Sequence, residues 1–138
     1  MIFADASALL AMVANEPEAL AFADILDTDD TRTCSALSVW ETIAGLCRSH
    51  TFSVASARAR VHLFLDALNF RFVNIGELEY GIATEAYAQF GRGRHPAKLN
   101  MGDCYAYACA KANGAKLLFK GDDFAKTDIA SAMQPGAE

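Results

Sequence analysis

Nowhere in this sequence do the four cysteines, Cys34, Cys47, Cys104 and Cys109, form a C-x-x-C pair or a zinc-type spacing, which argues against a structural zinc site or a dithiol redox motif. Reduced thiols acting as small core hydrophobes are the expectation. No stretch of about eighteen uncharged apolar residues occurs, so no transmembrane helix is expected. The apolar opening MIFADASALLAMVA carries Asp5 and has neither the basic leader nor the cleavage pattern of a secretion signal, so the chain is expected to be cytoplasmic and free of membranes. Prolines number only three, and 53% of the 138 residues are hydrophobic. That composition excludes a disordered chain and suits one well-buried domain, expected over residues 1–130, with 131–138 as a fraying tail.

Basic residues are missing from one region in particular. Residues 1–30 hold seven acids (Asp5, Glu16, Glu18, Asp24, Asp27, Asp29 and Asp30) and no Lys or Arg. From 92 to 126 the balance reverses, with Arg92, Arg94, Lys98, Lys111, Lys116, Lys120 and Lys126 against Asp103, Asp122 and Asp123. The net charge of −5 therefore does not exclude a nucleic-acid partner, because a local basic surface can still meet phosphates.

Apolar runs alternate with helical patterns along the chain. MIFAD predicts a buried strand ending at Asp5, with a helix from Ser7 to about Ala14. NEPEALAFADIL predicts a second helix with Pro17 in its first position and Glu16 and Glu18 at the positive end of its dipole. TCSAL reads as a short strand, and SVWETIAGLCRSH as a helix whose Ser38 and Glu41 fit an S-x-x-E capping box. Ser53 to Ala67 predicts a helix with a stripe of Ala55, Ala59, Leu63 and Ala67. FRFVNI is a further strand, 77–90 a helix, GRGRHPAKLN a turn-rich connection, and Met101 or Gly102 to about Lys111 a helix stopped by Asn113 and Gly114. KLLF is the last core strand. Strands alternating with helices imply a parallel sheet covered on both faces.

In such a sheet each strand ends at the edge where the next helix begins, and ligands gather there. Asp5 ends the first strand, Glu41 opens the helix after the second, Asp103 opens a later helix, and Asp122 and Asp123 follow the last strand. Each acid has a local alternative: Glu41 and Asp103 as helix-terminal caps, the latter with Asn100 as N-cap, and Asp122 and Asp123 as turn residues beside Gly121. Asp5 has no nearby cation in sequence, and its local capping role is limited to the Ser7 and Ala8 amides. Carboxylates crowded at one edge repel each other unless a cation sits among them. Mg2+ or Mn2+, which take oxygen ligands and bridge to phosphates, suit such a set. His50, His62 and His95 are scattered and give no zinc cluster. The matching chemistry is phosphodiester hydrolysis.

The blocks FADASALLA, SVWETIAGL, LNMGDCYAYACA and KLLFKGDDFAKTDI resemble, in order and spacing, those of PIN-domain ribonucleases, specifically the VapC toxins of bacterial type II toxin–antitoxin modules. The resemblance covers residues 1 to about 130. It implies a PIN-like α/β three-layer sandwich, with a central, mainly parallel twisted sheet and helices on both faces. It also implies an Mg2+-dependent endoribonuclease with Asp5 and Asp103 as central metal ligands and Glu41 completing the site directly or through water. The fourth acid is Asp122 or Asp123, with Asp122 preferred as the first after the strand. Ser7 matches a small polar residue near the metal, and Asn100 one that orients the turn presenting Asp103. The implied mechanism is in-line attack on an RNA phosphodiester by metal-activated water. Arg92, Arg94 and Lys98 are candidates for the RNA backbone. Implied partners are a second copy of the chain and a VapB-type antitoxin whose C-terminal segment covers the acids in a hetero-oligomer.

Two rivals share acids at strand ends. A phosphatase of haloacid-dehalogenase type needs a second acid two residues after its nucleophilic Asp, whereas Asp5 is followed by Ala6-Ser7. A receiver-like signalling module needs paired acids after the first strand, and Asp5 stands alone. Trp40, Tyr105 and Tyr107 are expected to pack in the core rather than to stack on bases.

Overall fold

The structure, a computed structural model, describes residues 1–133. In chain order it comprises β1 (Ile2–Ala4), α1 (Ala6–Val13), α2 (Ala19–Leu26), β2 (Arg32–Cys34), α3 (Ala36–His50), α4 (Val54–Ala67), β3 (Arg71–Phe72), α5 (Glu77–Phe90), α6 (Met101–Ala112) and β4 (Lys116–Leu118), followed by a 3-10 turn at Phe124–Lys126. The four strands form one parallel sheet in the order β3-β2-β1-β4. Phe3 lies opposite Leu117 and Ala4 opposite Leu118, so β1 and β4 end side by side.

Residue alternation along the strands divides the core into layers. Phe3 and Leu117 point to the layer of α5 and α6, against Ala86, Leu99 and Cys109. Ile2, Ala4 and Leu118 point to the opposite side, where Leu9, Val13, Leu46, Val61 and Leu65 form one cluster and Ala8, Phe22 and Leu26 another. Phe3, Leu9 and Leu117 are fully buried, each contributing about 1.5–3 kcal/mol by removal from water. This is the three-layer α/β sandwich that the sequence pattern implies.

Several local expectations change. α3 is capped by Ser35, not Ser38: Ser38 N–H donates to Ser35 Oγ at 3.1 Å, and Ser35 N–H to Ser38 Oγ at 2.9 Å. β2 ends at Cys34, which puts extended Ser35 at the cap and leaves Glu41 in the second turn with no capping duty. α2 starts at Ala19, with Pro17 in the preceding turn. Asn15 takes a left-handed φ of 55°, and Ala19 N–H closes that turn on the Glu16 carbonyl. Glu18 stands at the N-cap position of α2 without a side-chain cap hydrogen bond, and Glu16 and Glu18, still at the positive end of the helix, both face Lys120 Nζ, at 2.8 and 3.7 Å.

The buried stripe of α4 is Ala57, Val61 and Leu65, whereas Ala55, Ala59, Leu63 and Ala67 are exposed. Both stripes have helical spacing, and the bulkier one supplies more apolar area to the core. Of the tail expected to fray from 131, the first residues are tied to the sheet: Leu117 N–H bonds the Ala130 carbonyl and Ala132 N–H the Leu117 carbonyl, each at 2.9 Å. This segment covers the outer edge of β4. QPGAE, at 134–138, lies outside the described residues.

Candidate active site

The acids gather at the carboxyl edge of the sheet. Asp5 N–H donates to the Leu118 carbonyl at 2.9 Å, which ties the end of β1 to the end of β4. The Asp5 side chain is the N-cap of α1: Oδ2 accepts from Ser7 N–H at 3.0 Å and Ser7 Oγ at 2.6 Å. No hydrogen bond among the described residues reaches Oδ1. Ser7 Oγ in turn accepts Lys120 N–H at 3.0 Å, so Ser7 orients Asp5 and anchors the chain leaving β4. Burial raises the Asp5 pKa above its ordinary value, opposed by the Ser7 hydrogen bonds.

Asp103 is both a cap and a member of the cluster. Its N–H donates to Asn100 Oδ1 at 2.9 Å while its Oδ2 accepts Asn100 N–H at 3.1 Å, a reciprocal capping box that starts α6. Asn100 therefore does orient the turn presenting Asp103. Burial pushes the Asp103 carboxyl up to about 6 against the Asn100 hydrogen bond, and the charges of Asp5 and Asp123 add to the rise.

Glu41 comes from α3 and lies against the first turn of α6. A methyl group added at Gly102 would overlap Glu41 Oε2 and sit 2.8 Å from Oε1. Burial first, then the charges of Asp5 and Asp103, push the Glu41 carboxyl up to about 7, with Arg48 acting oppositely. Three carboxylates from three different elements thus sense one another.

Asp122 and Asp123, the two candidates for the fourth acid, differ in exposure. Asp122 is exposed, whereas Asp123 is half-buried and its charge acts on Asp103. Gly121, at φ 95°, turns the chain after β4. Phe124 is buried, with its ring 5.2 Å from that of Phe119, which fixes its neighbour Asp123.

Arg92, Arg94 and Lys98 are exposed on the connection between α5 and α6, which leads directly into the Asn100 cap. The Arg94 guanidinium lies over the Tyr87 ring at 5.1 Å. His95 Nδ1 accepts Ala97 N–H at 3.0 Å, a role within the loop. All four cysteines are free thiols, and burial pushes Cys34 up to about 12. Tyr107 is buried, as expected, with its hydroxyl donating to Asp128 at 2.6 Å, and Tyr105 is half-buried. Trp40 is 66% exposed, contrary to the core role expected from its helix. Its backbone neighbours Val39 and Glu41 turn inward and leave it on the outer face. Gly102 and Lys120 lie inside the blocks LNMGDCYAYACA and KLLFKGDDFAKTDI, but neither is singled out by the sequence as a site residue; a Gly inside a helix's first turn is the available signal for the first.

The PIN domain family model matches residues 2–130. Ribonuclease VapC30 of Mycobacterium tuberculosis is 39% identical over 131 residues, which covers 95% of this chain and 98% of the relative. The chain belongs to the VapC ribonuclease family of PIN-domain proteins. A VapC ribonuclease of Rhizobium meliloti is 35% identical, covering 94% of this chain and 99% of its own. Among solved structures, M. tuberculosis VapC20, described as a sarcin-ricin loop cleaving toxin, superposes with a TM-score of 0.73 at 18% identity, covering 94% of this chain and 97% of that one. VapBC2 of Rickettsia felis, bound to a promoter DNA fragment, gives 0.73 at 13% identity, covering 95% and 96%. These two likenesses show the fold, and the family model together with the VapC relatives sets aside the phosphatase and receiver-like alternatives.

The donor set of the PIN-domain site fits a hard divalent cation. It consists of carboxylate oxygens, among them Asp5 Oδ1, which no side-chain hydrogen bond among the described residues reaches. Among the described residues no three acid, imidazole or thiol groups are already drawn up to ion-binding distance. Mg2+ needs only one or two carboxylates and keeps several waters, so a convergent but open arrangement is compatible with it. No described helix is long and apolar enough to cross a membrane.

Proposed function

We propose that this chain is a divalent-metal-dependent endoribonuclease toxin, restrained by a cognate antitoxin. The observation that carries the metal site is the convergence of Glu41 on Asp5 and Asp103: a half-buried carboxylate set against Gly102 of α6, its pKa raised by burial first and then by the charges of the other two, is poised for a cation. Asp5, Asp103 and Glu41 are the residues that would hold Mg2+ or Mn2+, with Asp123 as the fourth acid in place of Asp122. When bound, such an ion supplies an acidic water as nucleophile and neutralises charge growing on a scissile phosphate.

The protein's own contribution is positional. Ser7 fixes the Asp5 rotamer through two hydrogen bonds to one oxygen. Asn100 holds Asp103 by its capping box and brings it to the start of α6, whose positive dipole end favours an anionic substrate. Arg92, Arg94 and Lys98 contact the RNA backbone on the approach to that helix, giving affinity that falls with salt. In-line attack by water leaves no covalent enzyme intermediate.

A VapB-type antitoxin would cover the acids with its C-terminal segment, a basic side chain standing in for the cation's charge. Homodimers, toxin–antitoxin hetero-oligomers and a cytoplasmic location belong to the same reading. The test of the chemistry is cleavage of RNA carrying a 2′-deoxy sugar at the cut site, with Mg2+ and then with EDTA. Attack by water cuts the deoxy-substituted strand and stops with EDTA. Cleavage that needs the 2′-hydroxyl, or that continues without divalent ions, overturns the proposal.

A further inference from the structure

Gly102 occupies the second position of α6, where Gly is less favourable than Ala. Its backbone does not demand glycine, since the left-handed glycines among the described residues are Gly93, Gly114 and Gly121. Space is what it provides. The three atoms nearest to a methyl placed on the Gly102 Cα all belong to the Glu41 carboxyl group: Oε2 in direct overlap, Cδ at 2.7 Å and Oε1 at 2.8 Å. At Gly45, by contrast, the same methyl would meet the apolar side chain of Leu10.

Such overlap is not tolerated, so something moves when a side chain is added. A carboxylate at the end of a flexible stem yields more readily than two packed helices. The expected response to a methyl at 102 is therefore that Glu41 swings away while α3 and α6 stay in place.

We propose that Gly102 is a positioning residue of the active site: its bare Cα is the surface on which the Glu41 carboxylate rests, and this keeps Glu41 facing Asp5 and Asp103. The inference rests on Glu41 being one of the ion-binding acids. It implies that a residue with no functional group controls ion affinity, and that it does so only through Glu41.

The experiment is a double-mutant cycle of Gly102→Ala and Glu41→Ala on the whole chain. It reads Tm without metal, Mn2+ affinity by calorimetry without RNA, and RNA cleavage. Gly102→Ala should keep or raise Tm, by about 3 °C at most, because Ala favours the helix. It should weaken Mn2+ binding and cleavage by roughly tenfold or more, the scale of a displaced supporting group at a metal site. Glu41→Ala should show the same losses, and the double variant no more than about twofold beyond them.

Parental Mn2+ affinity in Gly102→Ala beside a clear loss in Glu41→Ala overturns the role of Gly102 and leaves the acid site intact. Multiplying losses in the double variant, or a lower Tm from Gly102→Ala even without Glu41, also overturns it, because the space then serves something else. Parental binding and cleavage by Glu41→Ala removes the assignment of Glu41 itself, and the inference with it.

Discussion

The Ser7 hydroxyl donates to Oδ2 of Asp5 at 2.6 Å. Ser7 Oγ also accepts Lys120 N–H, so one small side chain links the ends of β1 and β4 and sets the orientation of a buried carboxylate. Ser7→Ala removes a hydrogen bond to an acid that is only 5% exposed and should lower stability by about 1–3 kcal/mol. Urea denaturation at neutral pH measures this. A midpoint equal to that of the parent would mean that the hydroxyl has no such role.

Metal-free stability should depend on pH in the direction opposite to that of a salt-bridged acid. Asp5, Glu41 and Asp103 all have raised carboxyl pKa values in the folded chain. Between the ordinary range near about 4 and the value of about 7 reached by Glu41, the folded protein holds protons that the unfolded chain has released. The stability contributed by these groups is present at the low end of that window and lost as pH rises through it. Glu41→Gln should therefore stabilise the metal-free protein at pH 8 by about 1 kcal/mol, allowing for solvent screening of a half-exposed group, and should have little effect at pH 4.5. Denaturant curves at the two pH values check the sign.

Asp122 and Asp123 are adjacent but face differently. Asp123→Asn should reduce cleavage by roughly tenfold or more, and Asp122→Asn by less than about twofold, since an exposed carboxylate screened by water acts weakly on the site. Rates for the two variants under identical Mg2+ decide between them. The reverse ranking would restore Asp122.

Trp40 and Leu46 lie on one helix with opposite exposure. Trp40 is 66% exposed and Leu46 only 1%. Trp40→Ala should change stability by less than about 0.5 kcal/mol and Leu46→Ala should cost about 2–5 kcal/mol. Thermal unfolding of both variants measures the contrast.

The strand ends were legible in the sequence because apolar runs stop at polar residues: MIFA at Asp5, and KLLF before Gly121-Asp122-Asp123. The convergence of Asp5 and Asp103 followed from parallel topology, and the Asn100–Asp103 box from spacing alone. Other features depended on packing. Ser35 and Ser38 each have the chemistry of an N-cap, and the exact end of β2 chooses between them. α4 has two apolar stripes at helical spacing, and only the bulk of Val61 and Leu65 against Ala55 and Ala59 selects the buried one. Which of two neighbouring aspartates turns inward depends on Gly121 and on Phe124 docking against Phe119. The contact between Glu41 and Gly102 joins residues 61 positions apart (102 − 41), and no local pattern encodes it.

Asp103 is where helix and site meet, because one carboxylate serves both. Asp103→Asn keeps an oxygen able to accept the Asn100 N–H, so the cap and the fold should survive while the charge is lost. The decisive measurement is RNA cleavage by this variant beside the parent, with and without Mg2+, at matched Tm. A metal-binding Asp103 requires Mg2+-dependent cutting by the parent and none by the folded variant. Equal cutting by both proteins would contradict that role and leave Asp103 a helix cap alone.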